Sequence, residues 1–239
     1  MMLTDIMSPF LKKKILIIAA HPDDELLGLG GTINQCSTKK KSKVKLLIMS
    51  KGLTSRDNKL DKGKMNTQIQ NANKAAEILG IKDIKFADLP DNRFDSVDLL
   101  DIVKIIENEI KDFKPDVIFT HHEKDLNIDH QNVFQAVLTA TRPLPGTKSL
   151  LLITFETPSS TEWQAQDSHT AFNPNFYNKI SKANLVAKQK AMKSYINEYR
   201  PYPHPRSSKA LEIIARRWGT VIGEEFVEAF KIIRFTNKN

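Results

Sequence analysis

The chain has 239 residues and a single cysteine, Cys36, so no intramolecular disulfide can form. The fold must therefore rest on its core, and a chain of this length with 40% hydrophobic residues can build one. Lack of disulfides suits a reducing compartment. No segment approaches the roughly 20 apolar residues of a membrane span. The N-terminal MMLTDIMSPFLKKK has no continuous apolar region and no small-residue cleavage site, so it does not read as a secretory signal. These absences predict a cytoplasmic protein without stable membrane insertion. Glycine is scarce, and Gly28, Gly30 and Gly31 do not follow Gly-x-Gly-x-x-Gly, which argues against a dinucleotide loop and for close helix–sheet packing. Acidic residues are outnumbered, 28 against 36 basic, for a formal charge of +8. The lysines are dispersed, however, and the densest run, Lys39-Lys40-Lys41, has no interleaved aromatics. That pattern argues against nucleic acid as the partner. A basic rim would still attract an anionic small molecule such as a nucleotide sugar.

What is present is an alternation of short apolar runs and helical patterns. Residues 14–20, KILIIAA, read as a buried parallel strand. A helix follows from Glu25 to about Ser37, with Glu25 as a helix-start residue. Val44–Met49 reads as a strand, Met65–Leu79 as a helix stopped by Gly80, and Ile84–Ala87 as a strand. Val97–Phe113 reads as a helix, Asp116–Thr120 as a strand, Asn132–Ala140 as a helix and Leu150–Phe155 as a fifth strand. This order predicts an α/β, Rossmann-like, mainly parallel sheet with helices on both faces. The core covers about 14–155 and a C-terminal helical extension about 156–239, in one domain. Within that extension, residues 156–176 look loop-like. Helices are expected over 178–197 and 207–218, separated by prolines 201, 203 and 205, and residues 223–235 suit either a helix or a strand.

Ligands of open parallel sheets bind beyond the carboxyl ends of the strands. After the first strand comes His21-Pro22-Asp23-Asp24-Glu25. After the Asp116–Thr120 strand comes the run from His121 to His130. Two clusters of metal-type ligands therefore leave the same sheet edge. A His-x-x-Asp turn plus His130 makes a two-histidine, one-carboxylate set, which suits zinc, with ferrous iron or another divalent ion as alternatives. Three protein ligands leave a position for water, as catalytic sites require. Of Asp23 and Asp24, one would ligate and one act as base, although an aspartate here could instead cap the next helix.

The segment AAHPDDELLGLGGTI, together with Asp125-Leu126-Asn127-Ile128-Asp129-His130, resembles the motifs of the PIG-L/LmbE-like deacetylases. The likeness runs from about Ile15 to Ala140. Ser159–Trp163, Ala171–Pro174 and Pro203–Ser207 are similar to a bacterial subgroup associated with surface-glycan synthesis. The resemblance implies a metal-dependent enzyme that removes an acyl group, usually acetyl, from N-acetylglucosamine-type sugars. It implies metal ligands at His21, Asp24 and His130, a general base at Asp23, and Asp129 steadying a neighbouring group. Many members carry a histidine at the position of Asn127. An amide can donate to an oxyanion but cannot deliver a proton. His204, in a proline-flanked loop with Arg206, is the candidate replacement, with a surface role as its alternative. The resemblance also points to Arg56 and Asp91 as contacts to sugar hydroxyls or phosphate. Asn92 and Arg206 are further substrate-side candidates. His121 would support the site, and Trp163 is either a sugar platform or a buried aromatic.

The resulting expectation is an N-acyl sugar deacetylase that uses metal-bound water and acts on an N-acetylated sugar or nucleotide sugar. Three other readings compete. One is an inactive sugar-binding module of the same fold, which would not need Asp23 beside the ligands. A non-haem iron oxygenase shares the ligand set, but nothing here suggests an oxidant-handling cofactor site. Nucleic-acid binding rests on charge alone. The sugar, its carrier, the native ion and any homo-oligomer are not specified by these residues.

Overall fold

A computed structural model describes residues 9–39, 41–52 and 62–236. Five parallel strands form the centre: β1 (Lys14–Ala19), β2 (Lys43–Ser50), β3 (Asp83–Leu89), β4 (Val117–His121) and β5 (Leu150–Phe155). Two more complete a seven-stranded sheet, β6 (Phe176–Lys179) and β7 (Val227–Thr236), in the order β3-β2-β1-β4-β5-β7-β6. The helices are α1 (Asp24–Thr38), α2 (Lys62–Leu79), α3 (Leu99–Phe113), α4 (Ile128–Ala140), α5 (Lys182–Ser194) and α6 (Ser208–Ile222).

The alternation along β1 sorts the core into two layers. Ile15, Ile17 and Ala19 face a cluster with α1, α2 and Met192 of α5, whereas Leu16, Ile18 and Ala20 face α3 and α4. Burial on both faces is why these strands read as continuous apolar runs. The chain runs outward from β1 to β3 and then crosses back to β4. The switch point therefore lies between the carboxyl ends of β1 and β4, where such sheets open a ligand crevice.

The C-terminal part departs from the expected helical extension. Residues 178–179, expected to open a helix, belong instead to strand β6, and residues 227–236, within a segment that suited either helix or strand, form β7, which pairs antiparallel with both β5 and β6. Helix α5 begins only after Ser181, whose hydroxyl and Asn184 form a reciprocal capping box. Helix α4 begins at Ile128, four residues before the expected Asn132. There the Asn127 side chain accepts the backbone N–H of Asp129 at 2.8 Å and starts the helix early.

This C-terminal part also braces α1. Leu29 leaves helical geometry (φ −141°, ψ 22°), and the carboxylate of Glu228 on β7 accepts the N–H groups of Gly31 (3.0 Å) and Thr32 (2.6 Å) just beyond that kink. The buried Lys188 ammonium of α5 neutralises it at 2.7 Å. Close packing here explains the glycines: a Cβ on Gly28 would lie 2.3 Å from the Phe155 ring and one on Gly31 2.6 Å from Ile180.

Candidate metal centre and its surroundings

The turn after β1 is strained. Asp23 takes up φ 95°, ψ −21°, a left-handed conformation that costs a non-glycine residue on the order of 1–3 kcal/mol. It occupies the N-cap position of α1, yet its side chain makes no capping bond. Asp24 Oδ2 accepts the His21 N–H at 2.8 Å, which folds the turn onto itself. Both aspartates are buried and aimed into the crevice between β1 and β4.

Three ligand-type atoms meet there. His21 Nδ1 lies 3.4 Å from Asp24 Oδ2, His130 Nε2 lies 3.2 Å from the same oxygen, and the two ring nitrogens are 3.3 Å apart. Zinc ligands held about 2.0–2.1 Å from the ion at tetrahedral angles stand ~3.3–3.4 Å from one another. The three edges therefore fit one face of a tetrahedron around an ion of that size, with the fourth corner towards the cavity. Each imidazole is held through its other nitrogen. His21 Nε2 lies 2.9 Å from Asp129 Oδ2, and His130 Nδ1 lies 3.0 Å from Asp125 Oδ1. Carboxylates behind ligating histidines fix ring orientation and raise basicity. Asp129 is itself fixed by the Phe94 N–H at 2.9 Å, and Asp125 by the Asn127 N–H at 2.9 Å and the hydroxyls of Ser160 and Thr161. His121 supports the site without joining it: its Nε2 accepts the Ala20 N–H at 2.9 Å, and its ring stacks on His130 at 3.9 Å.

The electrostatics suit a cation. Burial pulls the imidazoles down, but the carboxylates outweigh it. Asp129 and Asp24 leave His21 raised to about 10, and Asp24 and Asp125 leave His130 raised to about 9. Burial works against Asp24 in the other sense, yet His130 and His21 hold its carboxyl well below the ordinary range. A field that keeps protons on these rings is one that a divalent ion can satisfy in their place. His121, pushed down to about 3 by burial and by His130, is neutral and serves as an acceptor.

Asp23 faces the other wall. Arg206 Nε lies 3.4 Å from its Oδ2, and Arg206 also binds the carboxylate of Glu198. Burial drives Asp23 up, Asp24 and Glu198 add to the rise, and Arg206 opposes it; the result is about 7. Behind it, Glu25 is fully buried and accepts a hydrogen bond from Tyr195 at 3.2 Å. Its carboxyl is pushed up to about 8 by burial and by Asp23.

The remaining expectations divide. Asp91 and Asn92 line the cavity, and Asp91 Oδ1 lies 3.4 Å from His21 Nε2. His21, Asp91 and Asp129 form a second group of ligand-type atoms. Asn92 turns the chain with φ 53° and donates to Asp91 at 3.2 Å. Asn127 lines the cavity, but its amide is engaged: Oδ1 in the α4 cap and Nδ2 with Asn92 Oδ1 at 3.0 Å. Arg206 is brought to Asp23. His204 is not brought in. It lies outside the cavity lining, accepts the Arg206 N–H at 3.1 Å, and meets the edge of Trp163. Burial and Arg206 lower its pKa. Trp163 is 55% exposed rather than buried. Arg56 lies outside the described residues. Sequence reasoning gave no role to Asp125, Glu198, Ser160 or Tyr195. Asp125 had a signal, since it opens the second motif, and Ser160 lies in the Ser159–Trp163 segment; Glu198 and Tyr195 had none.

A family model described as PIG-L, GlcNAc-PI de-N-acetylase, matches residues 16–141, more than half of the chain, a span that contains His21, Asp24 and His130. The chain belongs to the PIG-L family. Among PIG-L relatives, the uncharacterized deacetylase YaiS of Escherichia coli is 28% identical over 189 residues, covering 77% of this chain and 91% of its own. The diacetylchitobiose deacetylase of Thermococcus kodakarensis is 23% identical over 227 residues, covering 92% of this chain and 83% of its own. The fold is also found in the crystal structure of the 4-carboxy-2-hydroxymuconate hydratase of Pseudomonas putida, with a TM-score of 0.71, 18% identity, and 95% and 99% of the two chains covered. Fold alone therefore does not select the reaction; family membership places this chain among hydrolytic deacetylases. Among the described residues, no helix is long and apolar enough to cross a membrane.

Proposed function

We propose that this protein hydrolyses the N-acyl group, acetyl in the simplest case, of an amino sugar or sugar conjugate. The observation that carries the reading is the facing of His21, Asp24 and His130 at tetrahedral spacing with Asp23 strained into the same cavity. A zinc-type ion held by those three side chains would polarise the acyl carbonyl and lower the pKa of a water towards ~7. Asp23 takes the proton of the attacking water. The water oxygen bonds to the carbonyl carbon, the C–N bond breaks, and Asp23 returns the proton to the leaving amine. A carboxyl held near 7 serves both directions, since a base works best with a pKa near the working pH. This removes the need for an imidazole at position 127. Arg206 keeps Asp23 oriented and limits its pKa rise. Asp91 and Asn92 line the same cavity as Asp23 and are the groups proposed to meet sugar hydroxyls.

The test is release of free amine from a panel of N-acetylated sugars and conjugates by wild type and Asp23→Asn, with metal content measured in both. Amine release that falls by about 10²–10⁴-fold in the variant, with metal retained, supports the proposal. Equal rates would remove Asp23 as the base. Addition of water to an unsaturated acid without amine release would instead place the chain with the hydratase that shares its fold.

A further inference from the structure

A second cavity, of about 490 Å³, adjoins the metal cavity, which measures about 140 Å³. The two share a pair of loops as their common wall. Pro158 faces the larger cavity while Ser159 and Ser160 face the smaller. Pro205 faces the larger while Arg206 faces the smaller. A molecule whose N-acyl group reached Asp23 would have the second cavity immediately beyond these loops.

The chemistry of the two differs. Most polar side chains lining the second cavity are already engaged by the protein. The Glu156 carboxylate accepts the Trp218 indole N–H, and Thr161 donates to Asp125. The Glu162 carboxylate accepts the Ser159 N–H at 2.7 Å and the Ser160 N–H at 3.3 Å, Gln166 donates to the Thr161 and Gln164 carbonyls, and the Arg217 guanidinium lies 4.0 Å over the Trp218 ring. The larger part of what the cavity offers a ligand is apolar: Phe172, Trp218, Ile213, Ile214, the Tyr202 ring and the proline faces. The lining holds one cation against two carboxylates, which disfavours a diphosphate. Its size is that of pockets which enclose small organic ligands.

Resting on the deacetylase reading, we infer that the second cavity receives an uncharged alkyl or aryl portion of the sugar conjugate, and that a nucleotide diphosphate is not the carrier.

The experiment has two arms. In the first, amine release is compared for octyl N-acetyl-β-glucosaminide, free N-acetylglucosamine and its uridine-diphosphate conjugate. The expected result is kcat/KM at least tenfold higher for the octyl glycoside than for the free sugar, with no gain for the nucleotide sugar. Ile213→Asp, at a position 44% exposed, should cut that ratio to threefold or less, while Val221→Asp on the same helix should keep it. In the second, octyl β-glucoside, which has no acyl group, is titrated below its micelle concentration into a Trp163→Phe background, where Trp218 is the remaining tryptophan of two. Saturable change in emission that Ile213→Asp weakens at least tenfold is expected. Hydrolysis of the free sugar with no octyl preference and no emission change would overturn the cavity assignment and leave the deacetylase reading intact. Preference for the nucleotide sugar would also overturn it. Ile213-sensitive binding without hydrolysis of any N-acyl sugar would uphold an apolar ligand here while the deacetylase reading fails.

Discussion

The two walls of the candidate metal cavity are made by different parts of the chain and held by different means. The ligand wall comes from the turn after β1 and the segment 121–130. Each ligand there is held by a neighbour in the same segments or just beyond: His21 by Asp129, His130 by Asp125. The base wall sets Asp23 against Arg206 and Glu198, which follow α5 in the C-terminal part. The first wall organises two histidines around one carboxylate. The second tunes one carboxyl towards neutrality. On the proposed reading, binding an ion and moving a proton are separable tasks, and substitutions should separate them.

The sharpest separation is Asp23→Asn. It should lower kcat by about 10²–10⁴-fold while leaving bound metal unchanged, as checked by turnover and elemental analysis. Next is the brace between the C-terminal part and α1. Glu228→Ala strands a buried ammonium and two helix N–H groups, so unfolding free energy should fall by about 3–5 kcal/mol, measured by urea titration. Asp125→Ala attacks only the ligand wall. Metal affinity should drop by roughly 10–100-fold, seen by competition with a chelator, and the pH profile of the metal-saturated enzyme should keep its position.

Arg206→Met attacks only the base wall. Arg206 lowers the Asp23 pKa, so its loss should move the ascending limb of kcat/KM to higher pH. Activity then begins later on the alkaline side, with metal affinity unaffected. The smallest effect is expected for Glu25→Gln. The Glu25 carboxyl is raised from 4.5 to about 8, so its stabilising contribution is complete below 4.5 and is lost as pH rises through about 8. The variant should lose that slope in Tm over this window and keep its activity.

The asymmetry also explains what the sequence made legible. The ligand wall could be read because its residues sit in two short motifs at the ends of buried apolar strands, and topology carries both to one edge. The strand Leu150–Phe155 was legible residue for residue, being a continuous apolar run. The start of α4 was not, because Asn127 disguises a cap as loop. Nor was the base wall. Arg206 approaches Asp23 from 183 positions away along the chain, and no periodicity announces that contact. The strands β6 and β7 were obscured for a similar reason. Their polar members Asn178 and Glu228 face α1 rather than solvent, donating to Thr32 and accepting from Gly31, so no clean alternation shows. His204 looked like the missing imidazole because it neighbours Arg206 in sequence, but the loop turns it towards Trp163.

The central claim is that His21, Asp24 and His130 hold one divalent ion while Asp23 does not. Equilibrium binding of zinc to wild type, Asp23→Asn and His130→Ala tests it directly. The account predicts one ion per chain with similar affinity in the first two and at least a 10³-fold loss in the third, as an order of magnitude for removing one of three ligands. Undiminished binding by His130→Ala, or loss of the ion from Asp23→Asn, would contradict it.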